Sequence, residues 1–576
     1  MEKLTLKNWQ RLQPYTALAD YHEYNSNPMT MLMWSNKYEV YFKTTPKYAI
    51  VYITIPDRSP IWIMPFCKKE DRKEAVKAIQ EYSSKIQIDF EIHSMTKEFK
   101  DWLMEAFPMK FLVWDCYDAR DYVYDRYQQQ SLSGKKMQKR RNHYHAFLKQ
   151  YQDRFEYRNL KDCPTEEIYE FLSFWQSQKE EEESIKVEEK GIHFFLENQN
   201  NLPIEGGCIY IDGKMEAFII ASRLAKDMIQ IHVEKANRSI RGLYIAILKL
   251  FLETLEEDIK YINREDDMGS PALRKAKKDM QPITKIQKFA CSYEPLQIRT
   301  ADDSMKNQIK ELWFNRFEEE TKESTDFYFS NLYQKENCYV LTWKEKLICM
   351  LQLRWFSIMI DDKPVETPFV VGVATDPEYE GCGYMKILLN HVLAKLDTPF
   401  VLIQAYNWDI YRSFGFHEQY YRIRYKLRKE EYSQISKGYF KESTQAEELL
   451  SLYNAYCMNK NGYRLRDIAY YEKQLLPYIS IWNQKLIVYY EQDIAKGYMI
   501  LTESDEEILV SECIYTSEEA LSSMMQYFYQ ETRTVYVDVD EETVLQGRGK
   551  KQISMMVKQL SNIPFPNKHL FIREEL

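Results

Sequence analysis

The residues whose types and spacing most clearly suggest a chemical role lie in "ATDPEYEGCGYMKILL" (Ala374 to Leu389). There an apolar strand pattern runs into a glycine turn, and a helix pattern begins. N–H groups at a helix start lack intrahelical acceptors and carry the positive end of the dipole, so they could bind a pyrophosphate. The predicted groups are the backbone N–H groups of Gly381, Cys382, Gly383, Tyr384, Met385 and Lys386. The two glycines could instead only permit a tight turn, which is a common use of glycine after a strand.

A second candidate is the basic segment "SLSGKKMQKRRNHYHAFLKQY" (Ser131 to Tyr151). Its cations occupy five of seven positions: Lys135, Lys136, Lys139, Arg140 and Arg141. The formal net charge of the chain is -9, which argues against a nucleic-acid binder built on bulk charge but allows a local basic patch. The segment predicts either a solvated helix end or a site for phosphate, a lipid headgroup or the acceptor end of a tRNA.

Cysteine and histidine usage indicates neither a disulfide framework nor a metal site. The ten cysteines are scattered singly without a CxxC motif, and the nine histidines show no pair at ligand spacing. The chain starts "MEKLTLKNWQRLQPY", without an apolar signal region, and no run of eighteen apolar residues follows. We therefore expect a cytoplasmic protein with no transmembrane segment and no bound metal.

The elements that must position these residues form a repeated pattern. At 576 residues the chain is long for one core, so several domains are expected. Antiparallel strands, a central strand such as "FVVGVAT", a turn, an amphipathic helix and a further strand recur along the sequence. We predict an α/β (α+β) fold of four lobes in two tandem pairs, with mixed, mostly antiparallel sheets flanked by helices. The predicted boundaries are 1–296 (lobes of about 1–130 and 131–296), 297–430 and 431–576.

The glycine turn, with "IYRSFGF" downstream, resembles the acyl-CoA-binding motif of the GNAT superfamily of N-acetyltransferases. In that family Gln or Arg, two residues, Gly, one residue and Gly or Ala follow a strand whose backbone pairs with pantetheine. Gly383 matches the central glycine, whereas Glu380 and Met385 depart from the other two positions. The resemblance implies acetyl-CoA or another acyl-CoA as acyl donor, bound at the turn and along the backbone of Val371 and Val373.

Residues from about 297 onward look most like the Eis-type (enhanced intracellular survival) acetyltransferases, in which a GNAT lobe precedes a degenerate GNAT lobe. The resemblance implies that Tyr411 is the general acid and that the terminal carboxylate, here Leu576, is a base in the active site. Tyr411 is also one of 45 tyrosines and could simply pack in the core. The fourth lobe has "SECIYTSEEALSSMM" in place of the glycine turn, so we expect no CoA binding there.

Residues from Met1 to about Pro295 are similar to the C-terminal domain of lysyl-phosphatidylglycerol synthetase, through "GKKMQKRRNHYHAFLKQYQDRFEYRNL", "IHVEKANRSIRGLYIAIL" and "YINREDDMGSPALRKAKKDMQP". The resemblance implies two GNAT-like lobes and a site for tRNA or an anionic lipid headgroup. The candidate residues for this site are Lys135, Arg140, Arg141, Glu234, Asn263, Arg264, Glu265, Arg274 and Lys275. Each could equally form a structural ion pair.

Three hypotheses follow. The first is an N-acyltransferase that moves an acetyl or other acyl group from acetyl-CoA to an amine-bearing small molecule or peptide by direct attack, with its chemistry in the third lobe. The second is aminoacyl-tRNA-dependent transfer by the amino-terminal half. The third is a protein that binds CoA or an anion without turnover.

Overall fold

The computed structural model describes residues 1–178, 183–432 and 438–574. It divides into two compact units. The first contains Met1–Leu296 and Glu378–Cys382, and the second contains Gln297–Pro377 and Gly383–Leu576. Among the described residues, the structure contains no helix that is both long enough and apolar enough to span a membrane.

The first unit alternates short strands with helices. Its strands are β1 (Glu2–Lys3), β2 (Glu39–Thr44), β3 (Tyr48–Thr54), β4 (Ile61–Ile63), β5 (Phe66–Cys67), β6 (Glu91–Met95), β7 (Phe111–Asp115), β8 (Asp121–Asp125), β9 (Phe155–Asn159), β10 (Ile204–Ile211), β11 (Lys214–Ala225), β12 (Met228–Ala236), β13 (Tyr261–Asn263), β14 (Thr284–Ile286) and β15 (Phe289–Tyr293). Its helices are α1 (Gln13–Ala19), α2 (Pro28–Met33), α3 (Arg72–Ile86), α4 (Lys97–Ala106), α5 (Arg126–Ser131), α6 (Gln138–Tyr151), α7 (Thr165–Ser177), α8 (Glu183–Glu197), α9 (Leu243–Thr254) and α10 (Pro271–Asp279).

The second unit has longer strands. They are β16 (Leu296–Thr300, which begins at the last residue of the first unit), β17 (Cys338–Trp343), β18 (Lys346–Ile360), β19 (Lys363–Thr375), β20 (Phe400–Ile403), β21 (His417–Leu427), β22 (Tyr439–Glu442), β23 (Lys485–Glu491), β24 (Ile494–Glu503), β25 (Glu507–Tyr515), β26 (Thr534–Val539) and β27 (Gly547–Gln559). The helices are α11 (Lys306–Arg316), α12 (Lys322–Asn331), α13 (Tyr384–Leu393), α14 (Trp408–Arg412), α15 (Ala446–Cys457), α16 (Ile468–Tyr470), α17 (Leu476–Ile481) and α18 (Glu518–Met525).

One four-stranded pattern occurs four times, and each copy is called a lobe. Three strands pair antiparallel, a helix follows, and the fourth strand pairs parallel to the third. The four lobes are β2-β3-β4-β6 with α3, β10-β11-β12-β13 with α9, β17-β18-β19-β20 with α13, and β23-β24-β25-β26 with α18. The predicted fold class, four α/β lobes in two tandem pairs, is therefore confirmed.

Strands also pass between neighbouring lobes. β15, which follows the second lobe, lies between β6 and β7 in the first lobe's sheet, and β8 joins the second lobe's sheet. β27, which follows the fourth lobe, lies between β20 and β21, so that the third and fourth lobes share one twelve-stranded sheet. The lobes of a pair are thus interlocked through their sheets, so no single position in the sequence separates one lobe from the next.

Local sequence explains the elements that matter for the site. The predicted hairpin turn at Gly213 joins β10 and β11, with Asp212 and Gly213 both at positive φ (51° and 81°), as a two-residue turn requires. Helix α9 is apolar around most of its circumference and is buried between the sheet and α6, with Leu243, Ile247 and Phe251 in the core. Each such side chain contributes about 1.5–3 kcal/mol through burial.

Candidate functional site

The third lobe opens where β19 and β20 stop pairing. Their parallel pairing consists of Phe369 with Leu402 and Val370 with Ile403, and β20 ends there. Beyond it, β19 continues to Thr375 paired only with β18. The half-buried backbone of Val371 to Val373 therefore faces a gap in the sheet. This is where the sequence placed the acyl-CoA strand.

A β-bulge shapes this gap. The β18–β19 register moves from Val371 opposite Gln352 to Ala374 opposite Met350, so that Gly372 and Val373 on β19 together oppose the single residue Leu351 on β18. Gly372 has a left-handed backbone (φ +57°), and a Cβ there would lie 2.3 Å from the ring of Trp313. The bulge is therefore fixed by a glycine that no other residue could replace without displacing the tryptophan.

The turn after β19 exposes backbone N–H groups. Gly383 has φ +100° and begins α13 without a side-chain cap, so the N–H groups of Met385 and Lys386 have no acceptor one turn earlier in the helix. Within the first unit, the Lys100 ammonium donates to the carbonyls of Gly381 (3.4 Å) and Cys382 (3.1 Å). The N–H group of Cys382, which the sequence predicted as a pyrophosphate ligand, donates instead to the Tyr379 carbonyl at 3.3 Å.

The side chains of the turn differ in accessibility. Cys382 is buried, and burial raises the pKa of its thiol to about 12, which keeps it protonated and removes it as a nucleophile. Glu380 and Lys386 are exposed and Met385 is half-buried. Glu380, the acidic departure from the motif, thus lies on the solvent side of the turn.

Tyr411 lies on the short helix α14, four residues before Gly415, which with Phe416 closes the segment. Its ring contacts Phe414 and Phe416, with centroids at 6.4 and 6.2 Å. Burial, with a smaller contribution from the thiol of Cys349, raises the pKa of Tyr411 to about 12. Cys349 pairs with Thr375 at the end of β19, so the tyrosine belongs to the same edge of the sheet as the bulge. A hydroxyl with this pKa stays protonated at neutral pH.

The fourth lobe has a similar gap between its parallel strands, but side chains of the chain's own tail occupy most of it. β25 and β26 stop pairing at Val510 and Val537, and a bulge at Ser511 follows. A cavity of only about 30 Å³ remains there, lined partly by Phe571 and Arg573 of the chain's own tail. The Ser517 side chain caps α18, accepting from Ala520 N–H. The fourth lobe thus lacks both the open gap and the uncapped helix start of the third, and the absence of CoA binding there stays a prediction.

The tail itself is held by arginines. Glu574 is buried and ion-paired with Arg464 and with Arg354, at 3.4 Å from the latter. Both arginines also donate to the Gln474 side-chain oxygen, at 2.9 and 3.2 Å. Leu576, whose carboxylate the sequence proposed as a base, lies outside the described residues.

In the first unit, part of the basic segment forms a cationic cavity. Lys135, Lys136 and Lys139 line a surface cavity of about 410 Å³ together with Arg241 and His143. Burial, followed by the charges of Arg241 and Lys139, lowers the pKa of His143. The lining contains no carboxylate. The cavity lies beside Gly242, the N-cap of α9 (φ +87°), where a Cβ would meet the His143 carbonyl at 2.2 Å.

Three of the predicted residues meet in the second lobe. Arg264 is ion-paired with Glu234 at 2.6 Å, and Arg140 faces both. Burial and the neighbouring Arg264 lower the pKa of Arg140 to about 10, and its Nε is buried with no hydrogen-bond partner among the described residues. Two guanidinium groups thus share one carboxylate beyond the end of the β12–β13 pairing.

The other predicted residues have structural roles or lie apart. Arg141 donates to the backbone carbonyls of Leu132 and Gly134, Asn263 donates to Asp121, and Arg274 pairs with Asp267 and Asp118. Lys275 is exposed on α10. Glu265 has φ +58° and accepts from Gln230 at 2.8 Å, and burial raises its pKa to about 7.

Sequence reasoning missed a buried cluster around Glu265. His232 is the bulge residue of β12, and its Nε2 lies 2.8 Å from Ser222 Oγ. Its Nδ1 lies 3.9 Å from a Glu265 oxygen, and burial lowers the His232 pKa to about 3. A lone histidine inside an apolar strand pattern gives no signal of this position, because only the register of β11 and β12 reveals the bulge.

No group of three His, Cys, Asp or Glu side chains that could hold a metal occurs within residues 1–178, 183–432 and 438–574.

Comparison with known families matches both halves of the chain. The model described as phosphatidylglycerol lysyltransferase, C-terminal, matches residues 17–292, and the acetyltransferase (GNAT) domain model matches residues 297–418. The chain joins these two kinds of domain. The GNAT domain, which holds the bulge, the glycine turn and Tyr411, supports acyl transfer as the reaction class.

Individual relatives are distant. The chain is 22% identical over 171 residues to the uncharacterized protein MYCGA3080 of Mycoplasmoides gallisepticum, covering 30% of this chain and 55% of that protein. The chain thus spans about half the length of this curated relative. A conserved protein of unknown function from Bacteroides thetaiotaomicron is 26% identical with a TM-score of 0.47, covering 50% of this chain and 98% of that one.

Two more solved structures are similar at lower identity. Eis1 of Mycobacterium abscessus is 12% identical with a TM-score of 0.37, covering 46% of this chain and 73% of that one. The C-terminal domain of a putative lysylphosphatidylglycerol synthetase from Agrobacterium fabrum is 14% identical with a TM-score of 0.38, covering 50% of this chain and 92% of that one.

Proposed function

We propose that the GNAT domain transfers an acetyl group from acetyl-CoA to an amine-bearing small molecule or peptide. The observation that carries the proposal is the gap between β19 and β20, bordered by the Gly372 bulge and by the uncapped start of α13. The gap leaves backbone of Val371 to Val373 without a partner on the β20 side. An extended pantetheine arm could pair with that backbone as a missing strand would.

The turn suits the charged end of the same donor. The N–H groups of Gly383, Met385 and Lys386 lie at the positive end of the α13 dipole, and an added Cβ at Gly381 would meet no atom within 4 Å. A pyrophosphate could therefore approach the backbone closely. Lys386 is exposed beside these groups and would add a mobile positive charge.

The chemical step is direct attack. The amine nitrogen forms a bond to the thioester carbon, the carbon–sulfur bond breaks, and the leaving thiolate takes the hydroxyl proton of Tyr411. Backbone N–H groups at the bulge, near Val373, stabilise the developing negative charge on the carbonyl oxygen. The thiol formed has a pKa near 8.5, so Tyr411 needs to donate only transiently and regains its proton from water.

The attacking amine must also lose a proton. We assign this role to the terminal carboxylate of Leu576. The support is the anchoring of Glu574 by Arg354, which lies two residues from Gln352 on β18, the residue opposite Val371 beside the bulge. Glu574, the last residue that the structure describes, is thus held by a side chain of β18.

Calorimetric titration of acetyl-CoA, followed by turnover assays with a panel of amines, tests the proposal. Gly383→Glu introduces a carboxylate and a side chain at a left-handed position, and it should abolish binding. Lys395→Glu makes an acidic change at an exposed site on the same unit and serves as the control. The proposal is refuted if the wild type does not bind acetyl-CoA at millimolar concentration, or if both variants bind as the wild type does.

A second candidate function belongs to the first unit. Arg140, with its buried unpaired Nε beside Arg264 and Glu234, provides a surplus positive charge at the open end of the second lobe. We infer an anion site there, with an aminoacyl-tRNA acceptor end or a lipid headgroup as the ligand and aminoacyl transfer as the reaction. Salt-sensitive binding of charged tRNA that is lost in Arg140→Glu, but retained in the exposed Lys275→Glu, would support it.

A further inference from the structure

One face of the strand pair β21–β27 carries an unusual concentration of positive charge. Directly opposed residues in an antiparallel pair project to the same side, and here Arg424 faces Lys550 while Lys426 faces Arg548. Arg422, opposite Gln552, lies on the same side. The cationic face is defined as Arg422, Arg424, Lys426, Arg548 and Lys550.

Carboxylates act on only one end of this face, where Asp538 pairs with Arg422 and Arg424 and the charge of Glu507 also acts on Arg424. Asp538 accepts from Arg424 at 2.7 and 2.8 Å and lies 3.2 Å from Arg422, so one carboxylate serves two guanidinium groups. Lys426, Arg548 and Lys550 are exposed and form no ion pair within the described part of the chain. Opposed like charges destabilise a sheet, so folding alone gives no reason for these two pairs.

The face also offers a ring. Tyr536 on β26 is directly opposite Lys426, so it projects to the same side, and it is half-buried. Successive side chains on one face of a strand are about 6.7 Å apart, and neighbouring strands are about 4.8 Å apart. The cations therefore form two neighbouring rows along β21 and β27, with an aromatic side chain beside one row.

The geometry points to a binding surface for single-stranded nucleic acid on the cationic face. The two rows of cations match the repeating negative charge of a phosphate backbone, and Tyr536 can stack on a base. Charge complementarity identifies a polyanion, and the Tyr536 ring beside the cations favours an unpaired strand, whose bases are free to stack. This surface lies in the shared sheet of the third and fourth lobes and is independent of acyl transfer.

Fluorescence anisotropy of a labelled uridine 12-mer, titrated with the full chain from 50 to 300 mM salt, tests the inference. For single strands the logarithm of the binding constant falls with the logarithm of salt concentration by about 0.7 per phosphate contact. Lys426→Glu/Arg548→Glu/Lys550→Glu should therefore weaken binding at least tenfold at 50 mM salt and flatten the slope by about 2. Tyr536→Leu should weaken binding roughly fivefold to 100-fold, whereas Tyr536→Phe should not.

A matched triple variant controls for net charge. Lys363→Glu/Lys395→Glu/Lys473→Glu reverses three exposed lysines of the same unit that lie off the face. Equal affinity and slope for the two triple variants would overturn the inference, as would a wild-type dissociation constant weaker than about 100 μM at 50 mM salt. The inference would also be overturned, in favour of a membrane surface, if Lys426→Glu/Arg548→Glu/Lys550→Glu lost the wild type's binding to anionic phospholipid vesicles but kept its oligonucleotide binding. Because binding is measured without acetyl-CoA or turnover, its failure is distinct from failure of the proposed acyltransferase.

Discussion

Replacing Gly372 by alanine should damage both the stability and the donor site of the GNAT domain. The residue has φ +57°, and an L side chain in this region costs about 1–2 kcal/mol. The added Cβ would also lie 2.3 and 2.9 Å from two carbons of the Trp313 ring, closer than packed atoms tolerate. Overpacking of a core usually costs about 1–3 kcal/mol, so a total of about 2–5 kcal/mol is expected.

Gly381→Ala is a matched comparison. Gly381 also has positive φ (+71°), but a Cβ there would meet no atom within 4 Å, so only the backbone cost of about 1–2 kcal/mol is expected. Amide hydrogen exchange of β18 and β19 measures the local opening free energy in the full chain, and calorimetry measures acetyl-CoA binding. Gly372→Ala should lower both more than Gly381→Ala does. Equal effects would refute the reasoning that Trp313 and the bulge shape the site.

Three further predictions concern single groups. Tyr411→Phe should lower kcat about 10²- to 10⁴-fold in an acetyl-transfer assay while leaving acetyl-CoA affinity within about twofold; unchanged kcat would remove the acid role. Because His232 has a folded pKa near 3 against about 6.5 unfolded, its stabilising contribution is complete above pH 6.5 and falls by about 1.4 kcal/mol per pH unit between pH 6.5 and about pH 3. Hydrogen exchange of β12 should show this slope in the wild type and a shallower one in His232→Gln. Glu574→Ala leaves Arg354 and Arg464 without their buried carboxylate and should destabilise the tail by about 3–5 kcal/mol, measured by exchange of residues 571–574. Wild-type protection of the tail would contradict it.

The sequence predicted the lobes because their pattern is local. Each antiparallel strand, central strand and amphipathic helix has a periodicity that is visible within one stretch of the sequence. Gly213 likewise indicates the hairpin turn in which it lies. The uncapped start of α13 at Gly383 follows from residues within one turn of it. Such features need no knowledge of distant residues.

Features that depend on distant pairing were not predicted. The left-handed bulge at Gly372 is visible only in the register of β19 against β18, and the same holds for His232 against β11. The cluster of Arg354, Arg464 and Glu574 joins three segments far apart in sequence. The roles of Asn263 and Arg274, proposed as ligand contacts, also depend on partners supplied by other elements, which the structure identifies as Asp121 and Asp267. Arginines and asparagines of these kinds look identical in sequence whether they bind a ligand or the protein itself.

The position of β27 has a consequence for how the second unit is made. This strand pairs Phe400 with Gln559 and His417 with Val557, so it supplies the strand between β20 and β21 although it follows the whole fourth lobe in sequence. The sheet of the GNAT domain therefore cannot be completed before β27 has been synthesised. Until then, the edges of β20 and β21 lack a partner, and such edges invite aggregation. A chain shortened after residue 430 should for this reason be insoluble or poorly folded, even though it retains every residue proposed here to bind acetyl-CoA, and expression trials should keep the carboxyl-terminal segment.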